Sequence, residues 1–256
     1  MGAKPPTRPG TAQPSALARV PGTDLLLFAI IVLGAMRLAA GAANVLTPSH
    51  ALIGPAGNGT ATLILVLAML AIQAIVVLVA VRAVILRRHG LSWRDLGLRR
   101  VSSNWYSRAV LLAIMLVPVA VLINAWLGRL AGAPIENPQL YAVAPIGFSW
   151  GAFAAMSVMA GVVAPLAEEI AFRGLVFAWL RVRVGVLPGA LLSAVAFASL
   201  HGVPALIPAL TVIGFALALI YQRSGSLWPA VIAHGVFNTI MIAMLYAALA
   251  AGRGAP

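Results

Sequence analysis

Two adjacent glutamates, Glu168 and Glu169, and Arg173 four residues on, lie in the apolar run AAMSVMAGVVAPLAEEIAFRGLVFAWL. Further along, His201 closes FASLH, and His234 and Asn238 share HGVFN, each again among apolar residues. The chain has only five acidic residues and four histidines, so placing two of each in apolar segments asks for a chemical reason. An ionisable side chain inside an apolar span is costly and usually faces a bundle interior or a wet cavity. A carboxylate and an imidazole together can take a proton from water and make a nucleophile. A second imidazole and a carboxamide can donate hydrogen bonds to an oxyanion forming on a carbonyl. These are the parts of a peptide hydrolase. The same groups support a metal reading, in which Glu168, His201 and His234 supply the two imidazoles and one carboxylate of a zinc set with an open position for water. The common H-E-x-x-H signature is missing.

Helix geometry sorts the groups. Glu169 and Arg173 stand i, i+4 on one face and can form an ion pair. Glu168 points ~100° away from Glu169, so one glutamate is held by arginine while the other looks into a different space. His234 and Asn238 share a face in the same way, as do Phe197 and His201. From Glu168 to the turn at Arg181 and Arg183 is ~20 Å of helix, and the return to His201 is about the same. His234 lies only ~10 Å from the turn near Ser224–Ser226, a looser match in height. Three helices can still aim these side chains at one pocket.

The elements that position them are membrane helices. The chain is 62% hydrophobic and 9% charged, with mean hydropathy +1.03, against about 25% charged residues in a soluble domain. We therefore expect an all-α polytopic membrane bundle of about seven or eight transmembrane helices. Spans read at about 25–46, 61–81, 109–128, a long stretch 146–180, then 187–201, 204–222 and 227–250. The stretch 146–180 would be ~52 Å as one helix, against a hydrocarbon core of about 30 Å. Either it overhangs the bilayer, or it breaks near Pro165, which removes a backbone donor; a break would give eight segments.

The net charge of +12 comes from sixteen Arg and one Lys, most of them at the ends of apolar runs. That pattern orients a membrane protein and argues against a nucleic-acid partner. Residues 82–108 carry seven Arg against one Asp, which places this loop, and the Pro-, Gly- and Ala-rich tail 1–24, in the cytoplasm. Within the loop, LSWRDLGL (91–98) reads as a small amphipathic helix on the anionic leaflet or as a plain connector. The first apolar run has some signal-peptide character, but the long tail and Arg37 favour an uncleaved span. Asn58-Gly59-Thr60 matches a glycosylation sequon. With no cysteine there is no disulfide or thiolate site. The chain divides into a disordered tail 1–24, N-terminal helices over 25–140, and a C-terminal region 146–250 that holds all six polar candidates.

EEIAFR (168–173), FASLH (197–201) and HGVFN (234–238) together resemble the EExxxR, FxxxH and HxxxN motifs of the CAAX prenyl protease and bacteriocin-processing (CPBP) family of intramembrane proteases. The motifs are complete and in order, and the resemblance covers about 147–245. LSWRDLGLRR also resembles a stretch often found upstream in that family; the first two spans carry no such signature. The resemblance implies an intramembrane peptidase in which Glu168 acts as general base with His201. Glu169 and Arg173 would support the site, with Arg173 holding the pair or contacting a substrate carboxyl end, and His234 and Asn238 would stabilise the oxyanion. It implies a peptide or membrane-protein substrate cut near the cytoplasmic face, through either a divalent metal such as zinc or a metal-free glutamate mechanism.

Composition and short loops suggest a multi-pass protein of a bacterial inner membrane. Two other functions compete: a proton-coupled transporter, which would favour repeated halves that are not visible here, and a non-catalytic immunity or scaffold protein. The bland readings are an ion pair that only locks helices for Glu169–Arg173, and interhelical glue for the histidines and Asn238.

Overall fold

The structure, a computed structural model, describes residues 15–46, 59–133, 135 and 143–252. The first fourteen residues of the expected tail, the sequon asparagine and most of the loop GAPIENPQL lie outside the described residues.

Apolar runs with no water to hydrogen-bond their backbone become helices, and the described chain is all-helical. The helices are α1 (Gly22–Leu46), α2 (Gly59–Arg87), α3 (Asn104–Ala131), α4 (Trp150–Val184), α5 (Val186–Ser199), α6 (Pro204–Ser224) and α7 (Trp228–Ala250). Among the described residues six helices are long and apolar enough to cross a membrane. With the shorter apolar α5 the described residues form a bundle of seven helices, the lower of the two expected counts. α5 has 14 residues and reaches only ~21 Å, because Gly202 turns left-handed at φ +72° just before Pro204 and ends the apolar run early. The end of the expected tail is also ordered: Ser15–Ala18 forms a helical turn, and Val20 O accepts from Trp179 Nε1 at 2.9 Å and Arg183 Nη2 at 2.9 Å.

α4 settles the question of its length by overhanging rather than breaking. It runs unbroken for 35 residues and passes Pro165 by widening, with π-helical turns at Met159–Val163 and Ile170–Phe177. In a π turn each N–H reaches back five residues, so the missing N–H of Pro165 leaves the Ala160 carbonyl without its donor. Asn238 Nδ2 supplies one from α7, at 2.8 Å.

One end of the bundle gathers the arginines. Asp24 at the start of α1 meets Arg88 Nη1 at 3.1 Å and His89 Nε2 at 2.6 Å beyond α2, and Arg181 donates to Gln222 at 2.6 Å. The LSWRDLGL segment is here too, and it is neither an amphipathic surface helix nor a plain connector. It is a string of turns docked on the C-terminal helices. Asp95 accepts the Ser92 hydroxyl and N–H at 2.6 and 2.8 Å, which holds its carboxyl below the ordinary value. Gly97 turns at φ +100° against the Tyr221 ring. The carbonyls that follow from these turns are taken by the other half of the chain: Leu96 O by Tyr221 Oη at 3.1 Å, Gly97 O by Leu227 N at 2.8 Å and Arg99 O by Ser226 Oγ at 2.6 Å.

That docking sets the height of α7. Leu227 is fully buried and lies against Gly174 of α4, so α7 starts well below the tip of α4. The ten residues 175–184, ~15 Å of helix, project past it. Lower down α4 and α7 cross at two glycines, where a Cβ on Gly235 would run into Gly161 O and one on Gly161 into Thr239 Oγ1. Such small-residue crossings are how membrane helices approach closely. Gly235→Ala should therefore lower stability by about 1–3 kcal/mol, read as a fall in the thermal unfolding midpoint in detergent; an unchanged midpoint would show the crossing can open freely.

Candidate active site

The overhang of α4 and the deep start of α7 together bring the polar residues level. Glu169, Arg173 and His234 form a buried chain. Arg173 Nη1 donates to Glu169 Oε1 at 2.7 Å, across the expected i, i+4 step, with both side chains 0% exposed. His234 Nδ1 meets the same oxygen at 2.9 Å. A carboxylate only accepts, so Nδ1 is the protonated nitrogen there. His234 Nε2 then points at Glu168 Oε2, 3.8 Å away. The second imidazole edge thus spans both carboxylates.

Arg173 is pinned further by donating Nη2 to Gly214 O of α6 at 3.1 Å and by lying over the Phe197 ring of α5 at 4.5 Å. Phe197 is the shared floor of the cluster. Its ring also meets Phe172 at 5.2 Å, His201 at 4.6 Å and His234 at 5.6 Å, all edge-on. His201 sits in the turn after α5, with Nδ1 2.9 Å from Phe197 O. A carbonyl accepts, so Nδ1 donates and Nε2 of the neutral ring keeps its lone pair.

Glu168 is the open member. Its side chain is 16% exposed, against 0% for Glu169 and 4% for His234. Its Oε1 accepts from Gln73 Nε2 of α2 at 3.1 Å. The sequence reading missed Gln73; the available signal was its isolation, since it is the one polar side chain between Thr62 and Arg82. Glu169 Oε2 and Arg173 Nε, both buried, have no hydrogen-bond partner.

The structure therefore brings Glu168, Glu169, Arg173 and His234 into direct contact and ties His201 to them through Phe197. It gives Asn238 a different neighbour, the Ala160 carbonyl. The set Glu168, His201 and His234 does not converge as a metal site: among the described residues no three His, Asp or Glu side chains form a group that could hold a metal ion.

Residues 149–240 match the family model described as Rce1-like, type II CAAX prenyl endopeptidase. That stretch holds all six candidate residues, so the part of the chain that carries them is the part similar to that membrane peptidase family. Over 89 residues the chain is 30% identical to the protein named "Putative membrane peptidase YdiL" of Bacillus subtilis (strain 168), covering 35% of this chain and 36% of that one. The chain thus spans about a third of the length of the curated relative it matches. No solved structure matches it.

Proposed function

We propose that this protein is an intramembrane endopeptidase that hydrolyses a peptide bond of a membrane-embedded or membrane-anchored polypeptide with water activated by Glu168. One observation carries the reading. Of the paired acids only Glu168 is open, and it is held between an amide donor and an imidazole beside a buried ion pair that already satisfies its neighbour. In this reading Glu168 takes a proton from water as the water oxygen bonds to the scissile carbonyl carbon. An imidazole donates to the oxyanion once its Nε2 is protonated, because the Nδ1–H of His201 is given to Phe197 O and that of His234 to Glu169 Oε1. Collapse breaks the C–N bond, and the proton held by Glu168 passes to the departing amine. His201, its Nδ1 committed to Phe197 O, offers Nε2 to the water or substrate. His234 offers Nε2 to the same space, and a proton on it or on Glu168 Oε2 draws the two groups together.

Asn238 serves by supplying the carbonyl partner that Pro165 cannot, keeping α4 against α7. In this reading the steps use protein groups and water. The arginine-rich end faces the cytoplasm by the positive-inside rule, and cleavage falls in that half of the bilayer.

The test is proteolysis of membrane-anchored peptides by the purified protein in liposomes. His201→Ala and His234→Ala should each lower kcat by about 10²–10⁴, and wild-type activity should survive a strong chelator. Loss of wild-type cleavage on chelation, restored by zinc, would sink the metal-free form of the reading.

A further inference from the structure

We propose that Gln73, in the second helix and far outside the matched domain, is a positioning residue of the site; this rests on the peptidase reading. The carboxamide reaches Glu168 across 95 residues of sequence, donating Nε2 to Oε1 at 3.1 Å. It stands alone among apolar residues in α2, where an amide without a partner is costly. α2 packs on the segment Ala164–Glu169, and Ala74 and Val77 close to Gln73 are buried.

The geometry gives the contact a consequence. A glutamate side chain has three torsions, and an open one samples several rotamers. Fixing Oε1 on α2 fixes the carboxylate plane, and Oε2 is then the oxygen turned to His234, 3.8 Å off. Misplacing a catalytic group by about 1 Å can cost about 10²-fold in rate. A base held in this way draws on both halves of the chain. The N-terminal helices are part of the site and not a mere anchor for it.

The test variant is Gln73→Met, close in size but without a donor. Activity should show kcat reduced about 10- to 100-fold with KM within about twofold. The same change placed on Glu168→Gln should cause no further loss, since coupled residues are not additive. A helix-packing role would instead lower the residual rate and the folded yield in both backgrounds. A second readout needs no substrate. The chain has only three glutamates, Glu136, Glu168 and Glu169, so isotope-edited infrared spectra of glutamate-labelled protein resolve few carboxylate bands. The band lost in Glu168→Gln should be the one that shifts in Gln73→Met. An unmoved band, an unchanged kcat, or a loss that adds fully to that of Glu168→Gln overturns the proposal. If the band shifts while Glu168→Gln still cleaves as wild type does, the contact stands and the assignment of Glu168 as the base fails instead.

Discussion

Glu168→Gln will reduce peptide cleavage by about 10²–10⁴ and leave the fold intact. Glutamine matches glutamate in shape and keeps an oxygen to accept from Gln73 Nε2. What it removes is the ability to hold a proton from water. The fold tolerates the change because the charge balance of the buried layer does not depend on Glu168. Arg173 is already neutralised by Glu169 at 2.7 Å, and Glu168 keeps 16% of its side chain open. The thermal midpoint should move by no more than expected for a change of about 0.5 kcal/mol, the range of substitutions away from buried networks. Steady-state cleavage and a melting curve on the same preparation check both halves. A variant that cleaves within tenfold of wild type would remove Glu168 from the reaction.

Arg173→Ala has the opposite profile: it should be the most destabilising of these substitutions, at about 3–5 kcal/mol. The guanidinium and the Glu169 carboxylate are each 0% exposed, so removing one strands the other as an unpaired buried charge. Two further attachments go with it, the bond to Gly214 O and the stack on Phe197. Arg173→Lys should rescue little, because a lysine cannot hold a carboxylate and a carbonyl in one plane while lying flat on a ring. The double variant Arg173→Met with Glu169→Gln should recover part of the stability, since an apolar pair of similar volume is often no worse than a buried ion pair. Unfolding in mild detergent or bicelles measures all three. A single variant that unfolds like wild type would mean that Glu169 finds another cation or sheds its charge without cost.

Much of the site was readable without coordinates, and the reasons are specific. Glu169 and Arg173 pair because four residues return a helix to the same face, and this survives the wider π turn that begins between them. The arginines at 88, 181 and 183 gather at one end because charge seeks the ends of apolar helices. The length of α4 posed the choice between an overhang and a break at Pro165 but did not decide it. Three things were not readable. Hydropathy does not encode hydrogen-bond register, so the π turns and the carbonyl left for Asn238 stayed hidden. The height of His234 was uncertain because it depends on Gly97 O and Leu227 N, a contact between distant parts of the chain. Gln73 has no partner at helical spacing, and only the packing of α2 on α4 reveals what it holds. The number of full-length spans stayed open for a related reason: α5 is apolar, but Gly202 and Pro204 end it after 14 residues.

The order in which the chain is made gives the Glu169–Arg173 pair a second meaning. A membrane protein enters the bilayer from its N-terminus, so α4 is synthesised before His234 and Gly214 exist, 65 and 41 residues later. For that interval its charges have little to meet, and a lone ion at the centre of a span resists transfer from the translocon by about 2.5–3.5 kcal/mol. Glu169 and Arg173 neutralise each other within one turn of one helix and need no other segment to do so. Gln73 is already in place to receive Glu168. The helix that carries the adjacent acids therefore enters lipid with Glu169 and Arg173 neutralising each other and Glu168 hydrogen-bonded, and the late helices close around a core assembled before them.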